Sequence, residues 1–165
     1  MWITTEDANA VPANTAALSA FDPEAPARKM LRLDSKGDPS PYFSEDRLAT
    51  LYSRDLVGFY NRAVNTPWAQ QMGGSVFDYD FVIGGQDHCP LENMTFQTEQ
   101  PFETSWDVTV QFQSRSCWGT EEYTKVVFLI IEENGRPVID DIFVYHGGET
   151  DILKVTLDQF WLQQQ

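Results

Sequence analysis

A chain of 165 residues with 42% hydrophobic content and five tryptophans is long enough to bury a core without a metal or other staple, and it reads as a single globular domain. Its formal net charge of −14 disfavours nucleic acid and anionic membrane, both polyanions, and leaves a small molecule or a basic protein as expected partners. The longest apolar run, Val126 to Ile131, falls far short of the ~20 residues of a membrane span, and Met1-Trp2-Ile3 leads straight into Thr, Glu and Asp without the apolar stretch of a signal peptide.

Residues 1–20 are polar and aperiodic, which predicts a flexible N-terminal arm ahead of a domain spanning 21–165. Asp22-Pro23 signals a helix start, with PEAPARKMLRL able to run as one short helix to Leu33, although Pro26 allows it to begin only there. The cluster SKGDPSPY breaks it. Ser44 opens the strongest helical pattern. Glu45 and Asp46 suit a helix start, and Leu48, Leu51, Tyr52, Leu56, Phe59, Tyr60 and Ala63 form one apolar stripe. Thr66-Pro67 repeats the cap-then-proline signature before WAQQM, and Gly73-Gly74 stops it.

Residues 75–92, SVFDYDFVIGGQDHCPLE, form an irregular stretch that still carries much to bury. A weakly alternating strand follows from Met94 to Phe102. A clean one runs from Ser105 to Gln113, with Trp106, Val108, Val110 and Phe112 inward and Asp107, Thr109, Gln111 and Gln113 outward. Glu121 to Gly147 predicts a long hairpin turning at Asn134-Gly135, because both turn positions need positive φ. Its first arm is apolar on both faces and predicts a strand covered twice. Its second arm alternates, with Ile139, Asp141, Phe143 and Tyr145 on one face and Val138, Asp140, Ile142 and Val144 on the other. Thr150 or Asp151 is placed to cap a last helix, ILKVTLDQFWLQ, docking through Ile152, Val155, Phe160 and Trp161. The fold class is therefore α+β: N-terminal helices packed on a curved antiparallel sheet, a layout that leaves a cone-like pocket.

The segments FYNRAVN, YDFVIGGQD, the V-x-V-x-F strand at 108–112 and KVVFLIIEENGRPVIDDI together resemble the nuclear transport factor 2-like superfamily. Within it they resemble a bacterial family of unknown function found in exported proteins and lipoproteins. The resemblance spans about residues 44–146 and rests on Tyr79-Asp80, Gln86-Asp87 and Ile139-Asp140-Asp141-Ile142. In the turn before the last strand, where the family usually carries Trp or a charged residue, this chain has Arg136-Pro137. The resemblance implies the fold, a conical pocket and a periplasmic or otherwise exported setting, with the cytoplasm as the alternative. It implies no reaction, since the superfamily holds isomerases, dehydratases and adaptors alike.

Cys89 and Cys117 lie in loop-like settings and are candidates for a disulfide; two free thiols are the alternative. No CxxC, HExxH or helical His pair is present, and Gly73-Gly74 and Gly84-Gly85 are isolated pairs, so neither a metal nor a cofactor is expected. Reactive residue types concentrate at Tyr79, Asp87, His88 and Asp140, the set an isomerase or dehydratase would use to move a proton beside a carbonyl. Asp87 and His88 are adjacent, and in an extended segment adjacent side chains diverge. The preferred expectation is a non-enzymatic binding domain, with Tyr60, Tyr79, Asp87, Trp106 and Asp140 lining the ligand site or a protein partner held on an acidic surface, as in inhibitor or immunity proteins. The polar face of the 105–113 strand predicts a monomer or weak homodimer.

Overall fold

A computed structural model describes residues 21–33 and 40–165. The predicted N-terminal arm, and most of the breaker cluster after Leu33, lie outside the described residues.

Helix α1, Ala25–Met30, is shorter than the apolar pattern predicts. Arg32 takes φ 61°, and Arg32 N donates to Lys29 O (3.1 Å) while Leu33 N donates to Arg28 O (2.9 Å). This paired closure is a Schellman motif, and it stops the helix before Leu33. Asp22 does not cap as predicted. Its side chain accepts from Glu24 N at 2.9 Å, and Glu24, two residues later, stands at the cap position.

The single helix expected from Ser44 to Ala63 is two helices, α2 (Glu45–Thr50) and α3 (Arg54–Val64). Between them the chain crosses the sheet edge-on. Ile139 N donates to Leu51 O (2.9 Å) and Ser53 N donates to Ile139 O (2.8 Å), so Tyr52 forms a parallel bridge to the sheet. Ser53 then restarts the helix, its hydroxyl accepting from Leu56 N at 3.0 Å. A continuous apolar stripe hides such a break, because both helices present the same face to the core. Helix α4 (Pro67–Gln71) follows with Thr66 as its cap, and Gly73, at φ 78°, lies just beyond its end, as the sequence predicts.

Five strands form one open antiparallel sheet in sequence order: β1 (Glu92–Phe102), β2 (Ser105–Gln113), β3 (Thr124–Glu133), β4 (Arg136–His146) and β5 (Glu149–Ile152). The β3–β4 turn carries Asn134 at φ 54° and Gly135 at φ 76°, the geometry a two-residue hairpin loop requires. β5 and the final helix α5 (Leu153–Gln163) replace the expected turn and capped helix. Thr150 and Asp151 are strand residues. The acceptor at the α5 start comes instead from β4, where Asp141 Oδ1 accepts from Lys154 N at 3.0 Å.

The simple alternation predicted for β4 fails at Asp140. Leu129 pairs with Asp141 and Ile130 with Ile139, so Asp140 is an extra, bulged residue. The bulge brings Ile139 onto the same face as Ile142 and Val144, opposite Ile130, Phe128 and Val126. These six residues have no exposed surface, and Val108, Val110 and Phe112 of β2 join them. Leu56 and Ala63 of α3, Leu153 and Leu157 of α5, Ala27 and Met30 of α1, and Val76, Phe81 and Val82 belong to the same core. The residues of α5 predicted to dock do so only in part. Leu153 and Leu157 are the buried ones, and Val155 is exposed.

The other face of the sheet is uncovered by any described helix. Val127, Leu129 and Ile131 are half-buried rather than covered twice, because the only layer of described helices lies on one side. Gln113, predicted to point outward, is buried. Its amide accepts from Asn93 Nδ2 (2.5 Å) and donates to Glu121 O (3.1 Å).

Candidate functional site

Three pieces of chain converge beside the core: residues 41–44 leading into α2, Tyr60 of α3, and the loop 74–81. They enclose a cleft of about 400 Å³ whose walls are Tyr42, Phe43, Tyr60, Phe77, Tyr79 and Phe81, with small residues between them. No strand residue and no charged side chain lines it.

The rings hold one another. Phe43 stacks on Tyr60 (centroids 4.5 Å) and on Tyr52 (5.2 Å), and Phe77 meets Tyr79 edge-on (5.6 Å) and Phe81 at 5.3 Å. Such pairs contribute about 0.5–1.5 kcal/mol each beyond burial, enough to keep a wall of the cleft ordered. Phe77, Tyr79 and Phe81 alternate in sequence with Asp78 and Asp80, and bends at Asp78 and Tyr79 fold the segment so that Phe77 touches both other rings.

Asp80 joins the two walls. Its Oδ1 accepts from Val82 N (3.0 Å) and Ile83 N (2.9 Å), which folds the chain back after the aromatic segment. Its Oδ2 accepts from the Tyr42 hydroxyl at 2.8 Å, tying the 41–44 segment to the loop. Burial, and then the charge and hydrogen bond of Asp80, push the Tyr42 phenol far above its ordinary range. Burial raises Tyr60 as well, and burial followed by the charges of Asp151 and Asp78 raises Tyr79. All three stay protonated at neutral pH and act as donors, not as phenolate bases. Tyr42 spends its proton on Asp80. The hydroxyls of Tyr60 and Tyr79 hydrogen-bond to no described residue and are left to a ligand or to water.

Of the residues singled out in the sequence, the structure brings Tyr60 and Tyr79 together in this cleft. The others lie elsewhere. Asp87 is exposed and accepts from the next backbone amide, His88 N, at 2.9 Å. His88 is also exposed, with Nδ1 2.6 Å from Cys89 O. Trp106 packs on Phe21 at 4.8 Å. Asp140 accepts from the Ser53 hydroxyl (2.7 Å) and from Lys154 Nζ (3.1 Å), which also reaches Asp55 at 2.7 Å. The acid, the histidine and the tyrosine of a proton-transfer set therefore do not converge. Among the described residues no three His, Cys, Asp or Glu side chains gather as metal ligands, and no helix is long and apolar enough to cross a membrane.

Sequence reasoning missed Tyr42, Phe43, Phe77 and Phe81. The alternating rings of VFDYDF carried a signal for two of them. Nothing in SPYFS signals that Tyr42 and Phe43 meet that loop, because the contact spans more than thirty residues of sequence and depends on the break between α2 and α3.

The loop behind the cleft is tied down. The sulfurs of Cys89 and Cys117 lie within disulfide distance, with Cα atoms 5.8 Å apart. Cys89 N donates to Ser114 O at 2.7 Å, and the Arg115 guanidinium donates to Gly84 O at 2.9 Å. The chain matches no family profile, no curated protein and no solved structure.

Proposed function

We propose that the chain is a binding domain that holds an uncharged, ring-bearing small molecule in the cleft between residues 41–44, α3 and the 74–81 loop. The carrying observation is the wall itself: six aromatic side chains, no charge, and two tyrosine hydroxyls with no partner among the described residues. A cleft of this size suits a small organic molecule, with ring faces supplying affinity and a few donors fixing orientation. Tyr60 and Tyr79 recognise acceptor oxygens or nitrogens on the ligand. The resemblance to nuclear transport factor 2-like proteins supports a binding role, although the cleft lies beside the sheet and not in a cone over it, since no strand residue lines it. The paired cysteines support an oxidising, exported setting. The isomerase or dehydratase alternative lacks support, since Asp140 is engaged by Ser53 and Lys154 away from the cleft.

The test is a fragment titration followed by amide proton–nitrogen correlation spectra, using neutral aromatic and alicyclic fragments beside charged ones. Neutral ring fragments are expected to shift amides of 41–44, 60 and 74–81. Tyr60→Phe is expected to weaken the tightest hit by about tenfold, the effect of one lost hydrogen bond. Binding by charged fragments alone, or shifts that avoid these segments, would overturn the proposal.

A further inference from the structure

On another part of the molecule the ring of Tyr123, 54% exposed, lines two polar depressions at once. One, of about 560 Å³, is walled by Asn93, Gln113, Ser116, Thr120 and Glu121. The other, of about 270 Å³, is walled by Ser114, Arg115, Glu122, Thr124 and His146. Neither shares a residue with the aromatic cleft. The adjacent turn, Ser116–Trp118, adds a second exposed ring, Trp118, at 53%.

Ser114 and Thr124 are 2% and 6% exposed, and their hydroxyls, bonded to no described residue, are not sealed from solvent. One feature separates this groove from ordinary polar surface: it is braced. Gln113 is clamped between Asn93 and Glu121 O, the Thr120 hydroxyl donates to Arg115 O at 3.2 Å, and the Ser116 hydroxyl donates to Glu92 at 3.0 Å. Cys117 anchors the turn to Cys89. Groups held in place before binding lose little freedom when a ligand arrives.

We propose that the Tyr123 groove is a second binding site, for a neutral saccharide. Each sugar hydroxyl both donates and accepts, so its site needs amides, hydroxyls and charges of both signs side by side, as this groove has. Each sugar ring also presents a flat C–H face that packs on an exposed aromatic, here Tyr123. An anion fits poorly. Glu121 and Glu122 flank the ring, and the one histidine present lies 2.7 Å from Asp151.

The test titrates the oxidised full chain with maltohexaose, cellohexaose, xylohexaose and chitohexaose, each alone, and reads the amide spectrum. At least one is expected to shift amides of 113–124 and 146–147 at millimolar concentration. Tyr123→Ala is expected to weaken that response by roughly tenfold, whereas Tyr123→Phe retains it. Ser114→Ala separately lowers affinity with the spectrum otherwise unchanged. Silence from all four sugars overturns the proposal, as does an affinity untouched by Tyr123→Ala. Shifts confined to 41–44, 60 and 74–81 would move saccharide binding to the aromatic cleft and overturn the groove. A response to inorganic phosphate without one to any sugar would also overturn it.

Discussion

Phe112 and Phe128 lie on the sheet with no exposed surface, while Tyr79, a ring of similar size, keeps 37% of its surface open in the loop beside them. The two regions draw on similar apolar side chains and use them in opposite ways. On the sheet, side chains from β2, β3 and β4 meet α3 and α5 until no space remains, and every group is spent on stability. In the 74–81 loop Val76 and Phe81 reach the core, while Phe77 and Tyr79 pack on neighbouring rings and leave one side open as a cleft. What separates them is backbone hydrogen bonding. The strands satisfy each other and can approach from both sides. The loop depends on Asp80, Arg115 and the cysteine pair to hold its shape, and so cannot close over its own surface.

The comparison breaks most directly by truncating one ring in each region. Phe128→Ala is expected to cost about 3–5 kcal/mol of unfolding free energy, from lost burial and the cavity left behind. Tyr79→Ala is expected to cost about 1–2 kcal/mol, from its edge contact with Phe77 and the part of its surface that is covered. Urea unfolding measures both. Should Phe128→Ala prevent folding, Ile130→Val serves as a milder probe, at about 0.5–1.5 kcal/mol. Equal costs at Phe128 and Tyr79 would show that Tyr79 is packed as tightly as the core.

The cysteine pair sharpens the same contrast. It closes a segment with a sequence separation of 28. For a loop of that length the chain-entropy model gives about 3–4 kcal/mol. Replacing both cysteines by serine is expected to loosen the loop before the sheet. In hydrogen exchange, amides of 75–91 and 114–120 should lose protection first, while those of β3 and β4 keep theirs until global unfolding. Uniform loss across the chain would mean that the loop and sheet open together.

How much of this was legible follows the same division. The alternation of β2, the Asn-Gly hairpin and the Thr66-Pro67 helix start are local signals, and each appears where the sequence puts it except at Gln113, the buried end of β2. The failures are long-range. The apolar stripe from Leu48 to Ala63 could not reveal that Leu51 and Ser53 would bond to Ile139. The period of β4 could not reveal the bulge at Asp140, which shifts Ile139 to the core face. Of the cleft, Tyr60 and Tyr79 were legible as aromatic candidates, whereas Tyr42 and Phe43 enter through tertiary contact alone. Ser53 carried a signal that was overlooked. A serine followed by an acid two residues later is a cap even inside an apolar stripe.

The smallest expected effect concerns Asp141, where the sheet supplies the helix with its cap. Burial raises the Asp141 carboxyl above its ordinary value of 3.8, against the lowering pull of hydrogen bonds from Lys154 N and Ile142 N and of the Lys154 charge. Between 3.8 and that raised value the folded chain binds more proton than the unfolded chain, so stability falls as pH rises through the window. Asp141→Asn keeps an oxygen to accept from both amides and removes the buried charge. It is expected to flatten that part of the pH profile and to change stability at neutral pH by less than about 1 kcal/mol. Asp141→Ala leaves the first turn of α5 without its acceptor and is expected to cost about 1–2 kcal/mol at acid and neutral pH alike. Urea unfolding of the three proteins from acid to neutral pH separates the two contributions. A parental slope retained by the asparagine variant would assign the titration to another group, and an alanine variant as stable as the asparagine one would show that α5 does not depend on its borrowed cap.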